Sequence, residues 1–174
     1  MKLIFLDVDG ILNNTQNIKK YRLFLRGKRR LLVDVKPVFG LDGHIIITNP
    51  NAPTSIALKL EEIEKNNMDV KIVISSSWRL GSVLADWKKL FLHYFNNAEI
   101  VKGRTPYLYK DRGIEILELL KIAKEKGDMI DDYIVLDDDI EDIINHIPNN
   151  KVIKINRRYG LTNKNIKEIL KKLK

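Results

Sequence analysis

Residues 3–12 decide the fold of this chain: Leu3-Ile4-Phe5-Leu6-Asp7-Val8-Asp9-Gly10-Ile11-Leu12. The apolar run that opens this stretch stops abruptly at Asp7. Short runs of this kind are typical of strands buried on both faces of a parallel sheet. Three further runs share the pattern and complete a set of four predicted strands: residues 71–74 before Ser75, residues 133–136 before Asp137, and residues 152–155.

Helical periods lie between the predicted strands. Apolar side chains recur at helical spacing within residues 56–63, 83–94, 116–123, 140–147 and 166–173. Ser82, Asp139 and Thr162 are candidate N-caps, and Gly127 is a candidate C-terminal stop. Strands that alternate with helices predict an α/β fold with helices packed on both faces of a parallel sheet.

The region from residue 13 to residue 53 has no strong helical period. Residues 21–26 alternate, Gly27 and Lys28 offer a turn, and residues 31–35 resume the run. This pattern predicts a β-hairpin, with residues 45–48 as a candidate extension. We interpret residues 13–53 as a small cap insertion after the first strand, within a single domain that spans residues 1–174.

Composition narrows the class of protein. The chain has no cysteine, which excludes disulfides, zinc–thiolate sites and thiol catalysis. Its apolar runs fall short of the roughly 18 residues of a membrane span, and its N-terminus lacks the features of a signal peptide, so we expect a soluble cytoplasmic protein without a membrane partner. The net charge of +8 favours phosphate-rich partners such as nucleic acid. The alternative is that this charge only reflects a composition rich in Lys, Ile and Asn.

Reactive side chains follow three of the predicted strands. Asp7 and Asp9 follow the first strand, Ser75 the second, and the acidic run 137–139 the third. Ligands in open α/β sheets bind outside the carboxyl ends of the strands, so these groups are expected to converge. Up to five carboxylates would meet there, and they repel one another unless a cation neutralises them. Oxygen ligands without His or Cys favour Mg²⁺.

These motifs carry a family resemblance. The run Asp7-Val8-Asp9-Gly10-Ile11-Leu12 resembles the first motif of the haloacid-dehalogenase superfamily, and residues 72–75 and 134–138 resemble its second and fourth motifs. A narrower set is similar to a branch found in multidomain RNA-repair proteins and in stand-alone phage and bacterial proteins: residues 75–79, 105–106, 112–116, 137–139 and 160–162. That branch is thought to remove phosphates from nucleic-acid ends. The resemblance implies a Rossmann-like three-layer sandwich.

The resemblance also implies roles for the residues that match the motifs. Asp7 would attack phosphorus and form an aspartyl-phosphate. Asp9 would protonate the leaving oxygen and then activate water. Asp137 and Asp138 would hold Mg²⁺ together with Asp7 and Asp9, and Ser75 would donate a hydrogen bond to a phosphoryl oxygen.

The superfamily pattern also requires a cation that touches both nucleophile and phosphate. Three residues are candidates. Arg112 is favoured because it matches the narrower branch and its guanidinium binds phosphate bidentately. Lys110 follows because it offers the usual side chain, and Lys102 is the third choice.

Other side chains are candidates for substrate binding. Ser76 is an alternative phosphate contact within the serine run, and Arg79 either binds phosphate or pairs with a nearby carboxylate. Residues 19–30 carry seven cations and no acid, and Arg22 and Arg26 would share one strand face with Phe24. Such a face suits a phosphate backbone and a stacked base, but it also suits a solvated hairpin with a guarded edge. Trp78 is expected to be a packing residue, and the three histidines show no ligand spacing.

The leading functional hypothesis is a Mg²⁺-dependent phosphatase that removes a terminal 3′-phosphate from nucleic acid. One alternative is a phosphatase of a mononucleotide or a small metabolite, which a large cap over the site would favour. A further alternative is a catalytically inactive nucleic-acid-binding module. The presence of both Asp7 and Asp9 argues against that alternative.

Overall fold

The computed structural model describes residues 1–12, 14–15, 38–39, 45–46, 69–80, 82–92 and 98–173. Within these residues the strands are β1 (Lys2–Leu6), β2 (Val38–Phe39), β3 (Ile45–Ile46), β4 (Val70–Ile74), β5 (Val101–Arg104), β6 (Asp132–Asp137) and β7 (Val152–Lys154). Five of them form a parallel sheet in the order β5-β4-β1-β6-β7, while β2 and β3 form a separate antiparallel pair. The predicted α/β fold around a parallel sheet is confirmed.

Strand β1 lies in the middle of the parallel sheet. Its side chains from Leu3 to Leu6 are almost fully buried, as expected for a strand that is covered on both faces. Leu6 aligns with Ile74 of β4 on one side and with Leu136 of β6 on the other. The ends of these three strands therefore lie at the same level.

Four helices among the described residues flank the sheet: α1 (Leu84–Phe91), α2 (Arg112–Glu125), α3 (Glu141–Ile144) and α4 (Asn163–Lys172). One hydrophobic core contains Trp87 of α1 and Ile166 of α4. A second core contains Ile116 of α2 and Ile143 of α3. Both cores take side chains from β1, alternately from its two faces, so the sheet is the middle layer of a three-layer sandwich.

Two predicted helix boundaries are confirmed. Gly127 follows the end of α2 with a φ of 82°, a backbone conformation that favours glycine. Its N–H donates to the carbonyl of Lys124, and the next N–H donates to the carbonyl of Ala123, so two carbonyls of the last turn are satisfied. Thr162 caps α4, because its side chain accepts a hydrogen bond from the N–H of Asn165.

The predicted N-cap at Ser82 is wrong. Helix α1 begins at Leu84, and the carboxylate of Asp86 accepts the N–H of Val83 at 2.9 Å in the place of a cap. The Ser82 hydroxyl instead donates to the carbonyl of Trp78 and accepts the indole N–H of Trp87 at 2.8 Å. The buried indole needs an acceptor, and Ser82 supplies it.

The predicted N-cap at Asp139 is also wrong. Helix α3 begins at Glu141, with Ile140 in the N-cap position. The backbone N–H of Asp139 instead donates to the carboxylate of Asp137 at 3.0 Å. The turn after β6 is thus folded back on the last residue of the strand.

Strand β5 is not among the strands predicted from the sequence. This strand pairs with β4 alone and forms one edge of the parallel sheet. Of its four residues, Val101 is buried, whereas Lys102 and Arg104 are exposed. An edge strand with one apolar residue and a glycine has neither a buried run nor a clear alternation, so periodicity does not detect it.

Several predictions lie outside the described residues: the hairpin strands at 21–26 and 31–35, the helix at 56–63, and His44 and His93. The pair β2–β3 falls inside the predicted insertion, and the cap and the single domain stay predictions. None of the helices in the described part of the chain is long and apolar enough to cross a bilayer.

Candidate active site

The carboxyl ends of β1, β4 and β6 bring three predicted site residues together. Asp7 follows β1 directly, and its N–H donates to the carbonyl of Leu136 at 3.1 Å. Ser75 follows β4, and its N–H donates to the carbonyl of Leu6 at 2.9 Å. Asp137 is the last residue of β6. Backbone hydrogen bonds of the sheet therefore fix the spacing of these three residues.

Three carboxylates form an acidic cluster at this edge. Asp7, Asp137 and Asp138 each offer an oxygen, and these oxygens all lie within 4.8 Å of one another. Asp7 and Asp137 are buried. A set of oxygen donors without nitrogen or sulfur suits a hard divalent cation such as Mg²⁺. The cluster thus contains three of the four predicted ligands.

Asp9, the fourth predicted ligand, does not belong to the cluster. Its carboxylate accepts a hydrogen bond from the indole N–H of Trp78 at 2.7 Å. Trp78 packs against the hydrophobic core, as expected, but it also fixes the direction of the Asp9 carboxylate. A residue that was predicted to have only a packing role therefore orients one of the candidate catalytic groups.

The electrostatics of the cluster fit a bound cation. Burial raises the pKa of Asp7 to about 6, although the charge of Arg112 opposes this shift. Burial and the neighbouring Asp7 raise the pKa of Asp137 to about 7, again against the opposing effect of Arg112. One guanidinium therefore does not fully compensate the buried carboxylates. A divalent cation would supply the missing charge.

Arg112 at the start of α2 is the cation that faces Asp7 and Asp137. Its guanidinium contacts the carboxylate of Asp137, and its Nη1 lies 3.6 Å from Oδ1 of Asp7. Lys110 is exposed on the loop before α2. Lys102 lies on β5 and pairs with Asp128, which precedes β6. Lys102 therefore points toward the amino ends of the strands, away from the acidic cluster. Of the three candidate cations, the structure places Arg112 against Asp7.

The serine run places two hydroxyls near the acidic cluster. The Ser75 hydroxyl is buried, and it has no hydrogen-bond partner among the described residues. The Ser76 hydroxyl hydrogen-bonds the carboxylate of Asp7, which lowers the pKa of that group, and it accepts the N–H of Trp78. Ser76 thus contacts the Asp7 carboxylate, and the Ser75 hydroxyl keeps a donor available.

Arg79 takes the second of the two roles considered for it. Its guanidinium is buried and forms an ion pair with the buried Glu115. It also donates to the carbonyl of Ser76 at 2.8 Å and to the carbonyl of Pro106 at 3.4 Å. These contacts connect the turn after β4 with the loop that leads into α2. Arg22 and Arg26 lie outside the described residues.

Arg157 is a site residue that the sequence reasoning missed. Its Nε donates to Oδ2 of Asp138 at 2.6 Å. Arg157 comes shortly after β7, the strand next to β6. The rule that functional groups follow the carboxyl ends of parallel strands could have found it, because it applies to the fourth predicted strand as well. His146, by contrast, hydrogen-bonds Asp111 outside the acidic cluster.

Gly10 allows the first and fourth motifs to meet. Its φ is 77°, and a Cβ at this position would lie 2.3 Å from Cγ of Asp138. The turn between Asp9 and Ile11 therefore needs glycine for two reasons, its conformation and the close approach of a cluster carboxylate.

Fold and site together define an α/β domain of the haloacid-dehalogenase type. The sequence profile of the HAD domain in Swiss Army Knife RNA repair proteins matches residues 3–166, and the chain belongs to this family.

Two curated relatives match short stretches of the chain. It is 49% identical over 49 residues to a histidinol-phosphate aminotransferase of Acinetobacter baumannii (strain SDF). It is 58% identical over 40 residues to the aminotransferase of the same name from Acinetobacter baylyi. The first match covers 26% of this chain and 14% of the relative, and the second covers 21% and 11%. The chain thus spans a small part of these curated relatives, and an overlap of this size assigns no activity. No solved structure matches the chain.

Proposed function

We propose that this chain is a Mg²⁺-dependent phosphomonoesterase that acts through an aspartyl-phosphate on Asp7 and removes a terminal 3′-phosphate from nucleic acid. One observation carries the proposal: Arg112 contacts Asp137 and lies 3.6 Å from Asp7, within a cluster of three carboxylates at the carboxyl edge of the sheet. A guanidinium beside a carboxylate nucleophile suits a phosphoryl group, which needs a cation on its equatorial oxygens.

The chemistry takes two steps. In the first, a carboxylate oxygen of Asp7 forms a bond to phosphorus, the bond from phosphorus to the leaving oxygen breaks, and Asp9 gives that oxygen a proton. In the second, water attacks phosphorus and gives a proton to Asp9, and the bond between phosphorus and Asp7 breaks. Inorganic phosphate leaves, and both carboxylates return to their starting state.

Each neighbouring group has a part in these steps. Trp78 holds the Asp9 carboxylate, and Ser76 holds that of Asp7. The Ser75 hydroxyl, unpartnered among the described residues, is the proposed donor to a phosphoryl oxygen. Asp7, Asp137 and Asp138 would hold Mg²⁺, which when bound offsets the negative charge of the phosphoryl oxygens.

Two observations support a nucleic-acid substrate. The family is that of HAD domains in RNA repair proteins, and the chain carries a net charge of +8. A basic chain attracts a polyanion at long range, whereas a small phosphate gains much less from such a field. The preference for a 3′-phosphate is part of the same proposal.

The test is phosphate release from oligonucleotides that carry a 3′- or a 5′-phosphate, with and without Mg²⁺. Mononucleotides and a generic aryl phosphate are compared alongside. Asp7→Asn removes the nucleophile, and Asp128→Asn is the matched control, because it makes the same change at a carboxylate outside the cluster. We expect Mg²⁺-dependent release from the 3′-phosphate that is lost in Asp7→Asn and kept in Asp128→Asn.

The other outcomes decide between the alternatives. Release from small phosphates alone would keep the mechanism and refute the nucleic-acid substrate. Faster release from the 5′-phosphate would refute the end preference. No release from any substrate would refute the enzyme and favour the binding module.

A further inference from the structure

Two tyrosines project from the loop between β5 and α2. The Tyr107 side chain is 48% exposed and that of Tyr109 is 85% exposed. Their ring centroids lie 4.3 Å apart, with the ring planes inclined at 48°. Aromatic rings usually bury most of their surface, so a contacting pair that is left this open needs an explanation.

The backbone at Tyr109 is strained. Its φ is 56°, and it is the one non-glycine residue with a positive φ in the part of the chain that the structure describes. This conformation is uncommon for a bulky side chain. Strain of this kind persists where the surrounding structure enforces it, and it clusters at sites that bind ligands.

The loop is held at its base by the buried ion pair. The Glu115 carboxylate accepts the N–H of Leu108 at 2.8 Å, and Arg79 donates to the carbonyl of Pro106 at 3.4 Å. The Arg79 guanidinium also lies 5.8 Å from the ring centroid of Tyr107. The aromatic pair is therefore presented by a fixed support, which lowers the entropic cost of binding to it.

The same loop leads to the acidic cluster. Tyr109 precedes Arg112 by three residues, which limits the distance between their Cα atoms to about 11 Å. Lys110 between them is exposed. Aromatic faces on a loop that carries a cation and leads to a candidate phosphate site suit a single nucleic-acid strand whose bases stack while its phosphates meet the cations.

We propose that Tyr107 and Tyr109 form a stacking platform for the base at the nucleic-acid end whose phosphate lies at Asp7. This inference rests on the proposed function and extends it, because it names the part of the substrate that sets specificity. Every base has a π face, so the platform accepts all four bases and rejects an end without a base.

The first test compares two single-stranded RNA substrates that differ only at the 3′-phosphorylated residue, which carries a base in one and is abasic in the other. We expect wild type to favour the base-bearing end by roughly tenfold in kcat/KM, as stacking of one base allows. Tyr109→Ala reduces this ratio toward one, and Tyr109→Phe restores it, because the ring and not the hydroxyl provides the stacking face.

Met129→Ala is the matched control. Met129 is 79% exposed and lies before the amino end of β6. The substitution therefore removes an exposed apolar side chain near the amino ends of the strands, away from the acidic cluster. We expect this variant to keep the wild-type ratio. An unchanged ratio in Tyr109→Ala, or a wild-type ratio near one, would overturn the platform while phosphate release itself still supported the enzyme.

The second test does not depend on turnover. A 3′-phosphorylated RNA with terminal 2-aminopurine is titrated with Asp7→Asn and with the double variant Asp7→Asn/Tyr109→Ala. Stacking quenches the fluorescence of this base, so we expect quenching with the first protein and its loss with the second. If no substrate releases phosphate, the proposed function fails, and this titration alone decides the platform: equal quenching, or none, with both proteins overturns it.

Discussion

The substitution Gly10→Ala tests whether the turn after β1 controls the geometry of the acidic cluster. The added Cβ would lie 2.3 Å from Cγ of Asp138, whereas an ordinary contact begins at 3.4 Å. The carboxylate must therefore retreat by about 1 Å, and its contact with Arg157 must give way as well. A displacement of this size in a catalytic site costs roughly 100-fold in rate.

Gly127→Ala is the matched control for backbone strain. Gly127 has a φ of 82°, close to the 77° of Gly10, but nothing lies within 4 Å of its Cβ position. Both variants carry the cost of a left-handed alanine, about 1–2 kcal/mol, partly offset by the reduced entropy of the unfolded chain. Only Gly10→Ala adds the collision with Asp138. The comparison therefore separates strain from displacement.

The assay has two parts. We expect kcat for phosphate release to fall roughly 100-fold in Gly10→Ala and to stay within about threefold of wild type in Gly127→Ala. We also expect Mg²⁺ to raise the melting temperature of Gly10→Ala less than that of wild type, because one carboxylate of the cluster has moved. Equal activity and an equal Mg²⁺ response in the two variants would refute the reasoning.

Three further predictions address the charges of the site. Arg112→Met removes the cation that lowers the pKa of Asp7, so this pKa rises further and the acid limb of the pH–rate profile moves to higher pH. An unmoved limb would contradict the effect of Arg112 on Asp7. Glu115→Gln leaves the buried charge of Arg79 uncompensated, so urea titrations should show a free energy of unfolding that is lower by about 3–5 kcal/mol. A loss below about 1 kcal/mol would mean that the ion pair is not buried in solution. Without divalent cations, the raised pKa values of Asp7 and Asp137 favour the folded state at low pH, and this contribution to stability is lost as the pH rises from 3.8 to about 7. Thermal unfolding in EDTA should therefore show a smaller loss of stability with rising pH in Asp7→Asn than in wild type. An equal loss in the two proteins would count against this prediction.

The central part of the fold could be predicted from the sequence because burial leaves few alternatives. The run 3–6 has no polar residue, so it fits a strand that is covered on both faces, and Asp7 marks the point where that strand ends. The same logic located β6 and Asp137. Once three such strands lie parallel, the convergence of their ends follows from the topology of the sheet.

The edge of the sheet and the ion pairs could not be predicted in the same way. Strand β5 has no apolar run because only one neighbour covers it. The pair Arg79–Glu115 joins residues 36 positions apart, and it depends on how α2 packs against the turn after β4. The prediction of an N-cap at Ser82 is wrong because the buried indole of Trp87 needs a hydrogen-bond acceptor, and the Ser82 hydroxyl supplies it instead of capping the helix.

The position of Asp7 also has a dynamic consequence. It follows a strand that is hydrogen-bonded on both sides, and its own N–H is part of the ladder to Leu136. Its amide should exchange with deuterium only when the whole sheet opens. The loop of Tyr107 and Tyr109 lies outside that ladder. If the loop carries the proposed platform, randomising its residues should change which ligands bind, while the Asp7 carboxylate stays in place.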